Sequence, residues 1–506
     1  MKLKAKYIDM DTGEITALLR TEDCFEIGVH EGGRVKVKHE GSTVTAIVQT
    51  TESVLKEGEI GLLGKAFAFI GPEKGELLDV MSTGKPESVE FIKKKMDGLE
   101  LSTEEIRTLV TDISTHTLSS IELAAYVTSL HINGMNIRET ADLTLAMVET
   151  GETIEFDRYP VFDFHSVGGV PGNKVTLIVV PIVAAAGLLI PKTSSRAISS
   201  AAGTADIVEV FANVDFEVKE LKNIAETIGG IMAWGGGLNL APADDVIVRV
   251  EHPLGIDPHA QLLASVMSKK KAVGADFLLI DIPMGDGTKV PNMETAKAYA
   301  KDFVDLGEML GIKVECAVTY GGQPVGRAIG PALEAKEAIS VLEGAKSPNS
   351  VVEKALMLAG IILEMGGVPG GSVRAKEILE SGEALAKFRE IVGAQGGNPN
   401  IKSSDINPGK LSVSVLAKKS GYIGGIKNKD LVRIARAAGA PKDKGAGVVI
   451  IKKVGSTVQA GDPLLIIYAD NENKLKDALG VARKFEPISV SGMVLVRTPG
   501  IIHVQD

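Results

Sequence analysis

The sequence predicts a multidomain α/β protein. A small N-terminal β-barrel-like domain (1–84) precedes a helical domain (85–155, joined by later helices), a mixed, largely parallel α/β domain (156–404) and a C-terminal β-rich domain (405–506). Three observations lead there: period-two alternation over the first 84 residues, a change to helical spacing after Gly84-Lys85-Pro86, and apolar runs alternating with amphipathic stretches from Val161 onward. A chain of 506 residues at roughly 150 residues per domain also has room for several cores.

Each element has its own signal. Arg34 to Lys38 and Thr43 to Ile47 alternate around Glu40-Gly41, which describes a hairpin with one buried face. Ser102-Thr103-Glu104-Glu105 is a capping box ahead of Ile106, Leu109 and Ile113, and Ser119 to Glu122 and Asn136 to Glu139 repeat its spacing. The run Phe277 to Ile282 is followed by Ala296, Ala300, Phe303, Leu306 and Leu310 on one helical face, a βα pattern that implies a largely parallel sheet with its site at the strands' carboxyl ends. Strands are expected again at Leu411 to Ala417, Val448 to Val454, Leu464 to Tyr468 and Met493 to Val496. The turn Gly455 to Pro463 resembles those of biotinyl-like β domains, but no Met-Lys-Met attachment site accompanies it, so a carrier role is not expected.

Composition excludes several classes. With 44% hydrophobic and 24% charged residues the chain is globular, and 56 glycines with 4% aromatics imply tight turns and aliphatic cores. The net charge of −10 supplies no field for a polyanion, so nucleic acid is not an expected partner. Cys24 and Cys316 stand far apart, which removes a disulfide framework and any zinc ribbon. Met1 to Lys6 has no apolar stretch behind it, and the apolar run Val175 to Pro191, interrupted by Thr176 and Pro181, falls short of the ~20 residues a bilayer needs. It reads as a buried helix and the following strand, no membrane partner is expected, and the cytoplasm is the expected location.

Two loops carry the chemistry. His165-Ser166-Val167-Gly168-Gly169-Val170-Pro171-Gly172-Asn173-Lys174 lies between an expected strand and an apolar helix. Glycine-exposed amides beside a hydroxyl and a helix start describe an anion site; a tight strand-to-helix turn is the plain alternative. The loop has neither the P-loop order nor G-x-G-x-x-G. The second runs from Thr193 to Glu209, where the hydroxyls of Thr193, Ser194, Ser195, Ser199, Ser200 and Thr204 and the Arg196 guanidinium crowd a small-residue turn. Such groups are costly to bury unless something polar, such as a phosphate, lies among them.

Ser194 to Glu209 matches the signature S-[GS]-R-[GA]-[LIV]-x-x-[TA]-[GA]-G-T-x-D-x-[LIV]-E and is thereby similar to the thymidine and pyrimidine nucleoside phosphorylase family. His165-Ser166-x-Gly168-Gly169 resembles that family's first phosphate loop, and Ala264-Ser265 to Lys270 its base-contacting helix. The likeness runs from about residue 86 to the end, and the additional β domain in front resembles the archaeal AMP phosphorylase branch. The resemblance implies phosphorolysis of AMP, with CMP and UMP as further candidates: orthophosphate attacks the anomeric carbon, giving free base and ribose 1,5-bisphosphate. It implies orthophosphate held by His165, Ser166, Thr176, Ser194 and Thr204. The nucleotide would contact Gly169, Ser195, Arg196, Ala197, Ile198, Ser199, Ser200, Thr204, Ser265 and Lys289, with Asp257 as the acid that protonates the departing base. No metal or organic cofactor is expected, and a homo-oligomer of at least two subunits is.

Alternatives stand beside these roles. Asp257 ahead of Pro258 also fits a helix N-cap, and as an acid it needs burial or a hydrogen bond that favours its neutral form. His165 is a rival proton donor, or a histidine that orients the loop. Phe164 replaces the lysine that precedes His-Ser in thymidine phosphorylases, with Lys174 or Lys269 as candidate substitutes. Lys289, at the end of Pro283 to Lys289, adds a cation suited to a 5′-phosphate, or is a solvated loop lysine. The competing functions are a nucleoside phosphorylase acting on unphosphorylated pyrimidine nucleosides and a non-catalytic nucleotide-binding scaffold.

Overall fold

The computed structural model describes residues 1–197 and 200–492, so the expected strand Met493 to Val496 lies outside the described residues. The chain divides into two compact units, one formed by Met1–Gly151 with Ala241–Ser268, the other by Glu152–Leu240 with the chain from Lys269 onward.

In the first unit six strands, Lys2–Ile8, Thr16–Leu19, Arg34–His39, Ser42–Thr50, Glu59–Leu63 and Leu77–Thr83, close into a barrel in the order first, fifth, second, fourth, third, sixth. The hairpin Arg34–His39 with Ser42–Thr50 sets Val37 opposite Val44, and its turn residues Glu40 and Gly41 both have positive φ, as a twist-matched two-residue turn requires. Leu3, Val35, Val37, Val48, Leu62 and Val80 fill the interior. Closure leaves no unpaired edge. Four helices follow, Ser88–Met96, Thr103–Ser114, Ser120–Asn133 and Ile137–Glu149, and Pro242–Leu254 packs with them. Three begin in complete capping boxes at Ser102/Glu105, Ser119/Glu122 and Asn136/Glu139. Ile106, Leu109, Ile113, Tyr126, Val127, Met147 and Ile247 form their shared core. Within it the Lys95 ammonium is paired with the Glu139 carboxylate at 3.0 Å, both fully enclosed.

The second unit is built on parallel strands. Phe277–Met284 lies between Phe162–Ser166 and Lys313–Tyr320, with Phe277 opposite Phe162 and Lys313. Ile190–Ser194 pairs in parallel with Gly230–Trp234, and a parallel bridge from Val161 to Leu189 connects the two groups. The apolar run of the sequence resolves into helix Thr176–Ala185, buried along its length, and strand Ile190–Ser194. Among the described residues no helix is long and apolar enough to cross a membrane. Helices Pro331–Leu342, Asn349–Met365, Gly371–Ser381 and Glu383–Ala394 enclose that central helix. Toward the C-terminus, Leu411–Leu416, Gly447–Ile450 and Pro463–Ala469 form an antiparallel sheet completed by Ala328–Ile329, a strand from well before residue 404. Because the five central strands are parallel, the loops after Ser166, Ser194 and Met284 leave from the same edge, where ligands bind in open α/β sheets.

Candidate active site

The first loop leaves its strand at His165-Ser166 and turns through Gly168, Gly169 and Gly172, all with φ between 74° and 91°. Two of these glycines are forced by neighbours. A Cβ on Gly169 would stand 2.9 Å from the Lys289 amide nitrogen, and one on Gly172 would stand 2.6 Å from the Val325 carbonyl oxygen. The first of these approaches brings the Pro283 to Lys289 loop directly against the glycine turn. Ser166 is oriented from behind: Asn173 donates through Nδ2 to its Oγ at 2.9 Å, leaving the hydroxyl hydrogen for a ligand. Asn173 reaches Asp281 at 3.4 Å, and Asp281 is itself held by Thr319 Oγ1 at 2.5 Å and Lys354 Nζ at 2.7 Å.

The second loop is laced by the charged residues of its own signature. Arg196 makes a two-pronged contact with Glu209, at 2.7 and 2.6 Å, and its guanidinium lies 4.7 Å from the centre of the Trp234 ring. Asp206 accepts the amides of Ala197 at 2.7 Å and Gly203 at 3.0 Å through one oxygen. Lys444 adds a second cation to Glu209 at 2.7 Å. Hydrogen bonding from Arg196, then from Lys444, holds the Glu209 carboxyl down to about 2, so this clamp stays charged. A Cβ on Gly203 would collide with the Ser195 carbonyl oxygen at 2.5 Å, which explains the glycine that the motif prescribes there.

Between the loops lies a cavity of about 190 Å³, far above the ~10–15 Å³ that one water requires. Its wall includes His165, Ser166, Gly169, Thr176, Ser194, Ser195, Ser200 and Thr204, so most of the expected phosphate and nucleotide contacts converge. Arg196 and Ala197 are not on that wall; their polar groups serve the clamp. Lys289 is exposed, at the loop end that abuts Gly169. Ile198 and Ser199 lie outside the described residues.

Asp257 and Ser265 belong to the other compact unit. Ser265 Oγ donates to the buried carboxylate of Asp244 at 2.8 Å, and Gln261 bonds the same carboxylate at 3.0 Å. Asp257 is exposed between helices Pro242–Leu254 and His259–Ala272. Burial, one of the two routes to a neutral carboxyl, is therefore not found at Asp257.

The cation at the cavity is one that sequence reasoning missed. Lys192, only 4% exposed, is on the wall, with Asp163 between it and Lys270: Lys192 Nζ is 3.7 Å from one Asp163 oxygen and Lys270 Nζ 2.8 Å from the other. Burial, and then the neighbouring Lys270, push the Lys192 ammonium down to about 7, against the pull of Asp163. Lys174, one of the two candidate substitutes for the cation lost at Phe164, does something else. It is fully buried and donates to the carbonyls of Val325 at 3.2 Å and Ala328 at 3.0 Å and to Glu337. Burial, then Lys270, Lys192, Lys269 and Lys289, hold His165 well below its ordinary value, so its ring is neutral near pH 7 and carries no imidazolium proton to give. Two further wall residues were also overlooked, Asn173 and Glu334. A lysine inside the apolar stretch Leu189 to Lys192, just before the hydroxyl loop, was a readable signal; Glu334 in a helical first turn offered none.

The helical bundle, the parallel α/β layer with its hydroxyl-lined cavity and the β-rich C-terminal segment each correspond to a domain found in glycosyl-transferring enzymes. Residues 89–151 match the model of the glycosyl transferase family helical bundle domain, 158–385 that of the glycosyl transferase family a/b domain, and 422–489 that of the pyrimidine nucleoside phosphorylase C-terminal domain. The chain is 52% identical to AMP phosphorylase 1 of Archaeoglobus fulgidus, over 98% of both chains. It is 51% identical to the AMP phosphorylase of Thermococcus kodakarensis, over 99% of this chain and 100% of that one, and 49% identical to that of Methanosarcina barkeri over the whole of both. It belongs to the family of these archaeal AMP phosphorylases. The crystal structure of anthranilate phosphoribosyltransferase from Thermus thermophilus shares the fold over 60% of this chain and 99% of that one, with a TM-score of 0.51 at 20% identity.

Proposed function

We infer that this protein is a pentosyltransferase that cleaves AMP with orthophosphate, releasing adenine and ribose 1,5-bisphosphate. The observation that carries the reading is the cavity between the two loops. Hydroxyls from three separate elements, Ser166, Thr176 and Thr204, and the buried Lys192 meet there, in a chain about half identical to AMP phosphorylases from end to end. Donors fixed before the ligand arrives lose little entropy and no solvent reorganisation when they bind an oxyanion.

In the reaction an oxygen of orthophosphate forms a bond to the anomeric carbon while the carbon–nitrogen bond to the base breaks, and the bonding pair leaves with the base. Ser166 donates through the hydrogen that Asn173 leaves unused. Lys192 offsets the phosphate charge. Gly169, Ser195 and Ser200, with the loop ending at Lys289, hold the nucleotide; Lys289 takes its 5′-phosphate, while the clamped Arg196 and Ala197 keep the loop in shape. Ser265, whose proton is committed to Asp244, meets the base as a hydrogen-bond acceptor. Protonation of the leaving base is assigned to Asp257 on the strength of the sequence motif. The enzyme is read as a cytoplasmic homo-oligomer of at least two subunits.

Phosphate-dependent base release from AMP, CMP and UMP beside adenosine, thymidine and uridine tests the reading. AMP is expected to be turned over and the nucleosides to lag. A preference for nucleosides would move the assignment to a nucleoside phosphorylase, and tight AMP binding without turnover to a non-catalytic nucleotide-binding scaffold.

A further inference from the structure

We propose that Glu334 makes the anion cavity select an oxyanion that carries a proton, so that phosphate and arsenate are accepted and sulfate is turned away. The inference rests on the cavity being the orthophosphate site. Glu334 stands in the first turn of helix Pro331–Leu342, is 2% exposed and forms part of the cavity wall. Ser166, Thr176, Thr204 and Lys192 face the same space as donors, so a carboxyl among them is the group whose purpose is unaccounted for.

Its Oε1 accepts the Gly330 amide hydrogen at 3.1 Å, and among the described residues no side chain donates to it. Charged neighbours act on it from both sides. Lys174 favours the carboxylate, but that ammonium is already held by Glu337 and two carbonyl oxygens, while Glu337 and Asp206 disfavour it. Burial dominates and pushes the carboxyl up to about 7. The other titratable groups of the cavity are Lys192, down to about 7, and the neutral His165.

A buried carboxylate repels a fully ionised oxyanion, and no water layer softens the contact. One proton between the two turns repulsion into a charge-assisted hydrogen bond. Phosphate and arsenate bring that proton throughout the neutral range. Sulfate does not, and enters only when Glu334 is itself protonated. All three are tetrahedral and of similar size, so cavity volume cannot make this distinction.

The experiment is base release from AMP at about pH 6 and pH 8.5, for the wild type and Glu334→Gln, with sulfate as inhibitor and arsenate as alternative nucleophile. For the wild type, the sulfate inhibition constant divided by the phosphate KM is expected to rise by about ten- to thirtyfold between the two pH values, while the arsenate-to-phosphate ratio stays level. In Glu334→Gln the sulfate ratio should be low and independent of pH, because a carboxamide donates to sulfate at either pH. A wild-type ratio that ignores pH overturns the proposal. So does a variant that keeps the wild-type ratio, or one that loses phosphate and sulfate equally, as a purely structural Glu334 would require. If the variant does not fold, the wild-type pH series decides. If the wild type releases no base from AMP with phosphate, the phosphorylase reading fails instead, and calorimetric binding of phosphate against sulfate at the two pH values tests the selectivity without turnover.

Discussion

Replacing Gly169 by Ala tests how the first glycine loop and Lys289 depend on each other, and Gly168 supplies a matched control. Both glycines sit near φ +90°, so alanine at either position meets a similar backbone penalty of about 1–2 kcal/mol. They differ in what the new methyl group touches. At Gly168 nothing lies within 4 Å; at Gly169 the Cβ stands 2.9 Å from the Lys289 nitrogen and 3.2 Å from the Thr288 Cα. Ordinary contact begins near 3.4 Å, so the Pro283 to Lys289 backbone must retreat by about half an ångström. Forced repacking of that kind costs about 1–3 kcal/mol, and if half of it falls on the lysine's position, the AMP KM rises by roughly twofold to tenfold. The assay compares KM for AMP and for phosphate in Gly168→Ala, Gly169→Ala, Lys289→Ala and the Gly169→Ala/Lys289→Ala double variant. Gly169→Ala should raise the AMP KM well above the Gly168→Ala value, and should add little once Lys289 is gone. Equal KM values for the two glycine variants, or full additivity in the double variant, would refute the coupling.

Asp163→Asn leaves Lys192 and Lys270 buried without their shared counter-charge, and unfolding in urea should show a loss of about 3–5 kcal/mol. Unchanged stability would mean that the two ammonium groups do not depend on Asp163. Asn173→Ala frees the Ser166 hydroxyl to rotate, so the phosphate KM should rise several-fold, about 1 kcal/mol, with the AMP KM less affected; the reverse order would count against the hydroxyl argument. The pH dependence of stability follows from two displaced groups. The Lys192 ammonium is at about 7 in the fold against an ordinary 10.5, so the unfolded chain binds more protons between those values. Its contribution is least favourable at and below pH 7 and improves as pH rises toward 10.5. Glu334 at about 7 against 4.5 works oppositely: the fold holds the extra proton, and stability falls as pH rises from 4.5 to 7, by on the order of 3 kcal/mol. Denaturation curves across pH 5 to 10 should therefore lose their upper slope in Lys192→Met and their lower slope in Glu334→Gln, and curves parallel to the wild type would contradict both assignments.

The sequence by itself determined the parts that depend on neighbours along the chain. Capping boxes at Ser102, Ser119 and Asn136 satisfy amides three residues away, and the Glu40-Gly41 turn needs only local φ values, so both are written where they act. The signature Ser194 to Glu209 was legible for a similar reason, since Arg196, Asp206 and Glu209 brace the same short loop. It named Arg196 and Ala197 as ligand contacts, and in the fold their polar groups meet Glu209 and Asp206. What only the tertiary structure decided is which charges share a cavity. Lys192, Asp163 and Lys270 come from three segments separated by up to 107 residues, and Lys174 is claimed by carbonyls more than 150 residues away. Glu334, an ordinary first-turn acid in sequence, reaches the cavity between the loops because its helix begins behind that wall. Electrostatic energy depends on distance through space and on exclusion of water, and neither quantity is recorded in the order of residues along a chain.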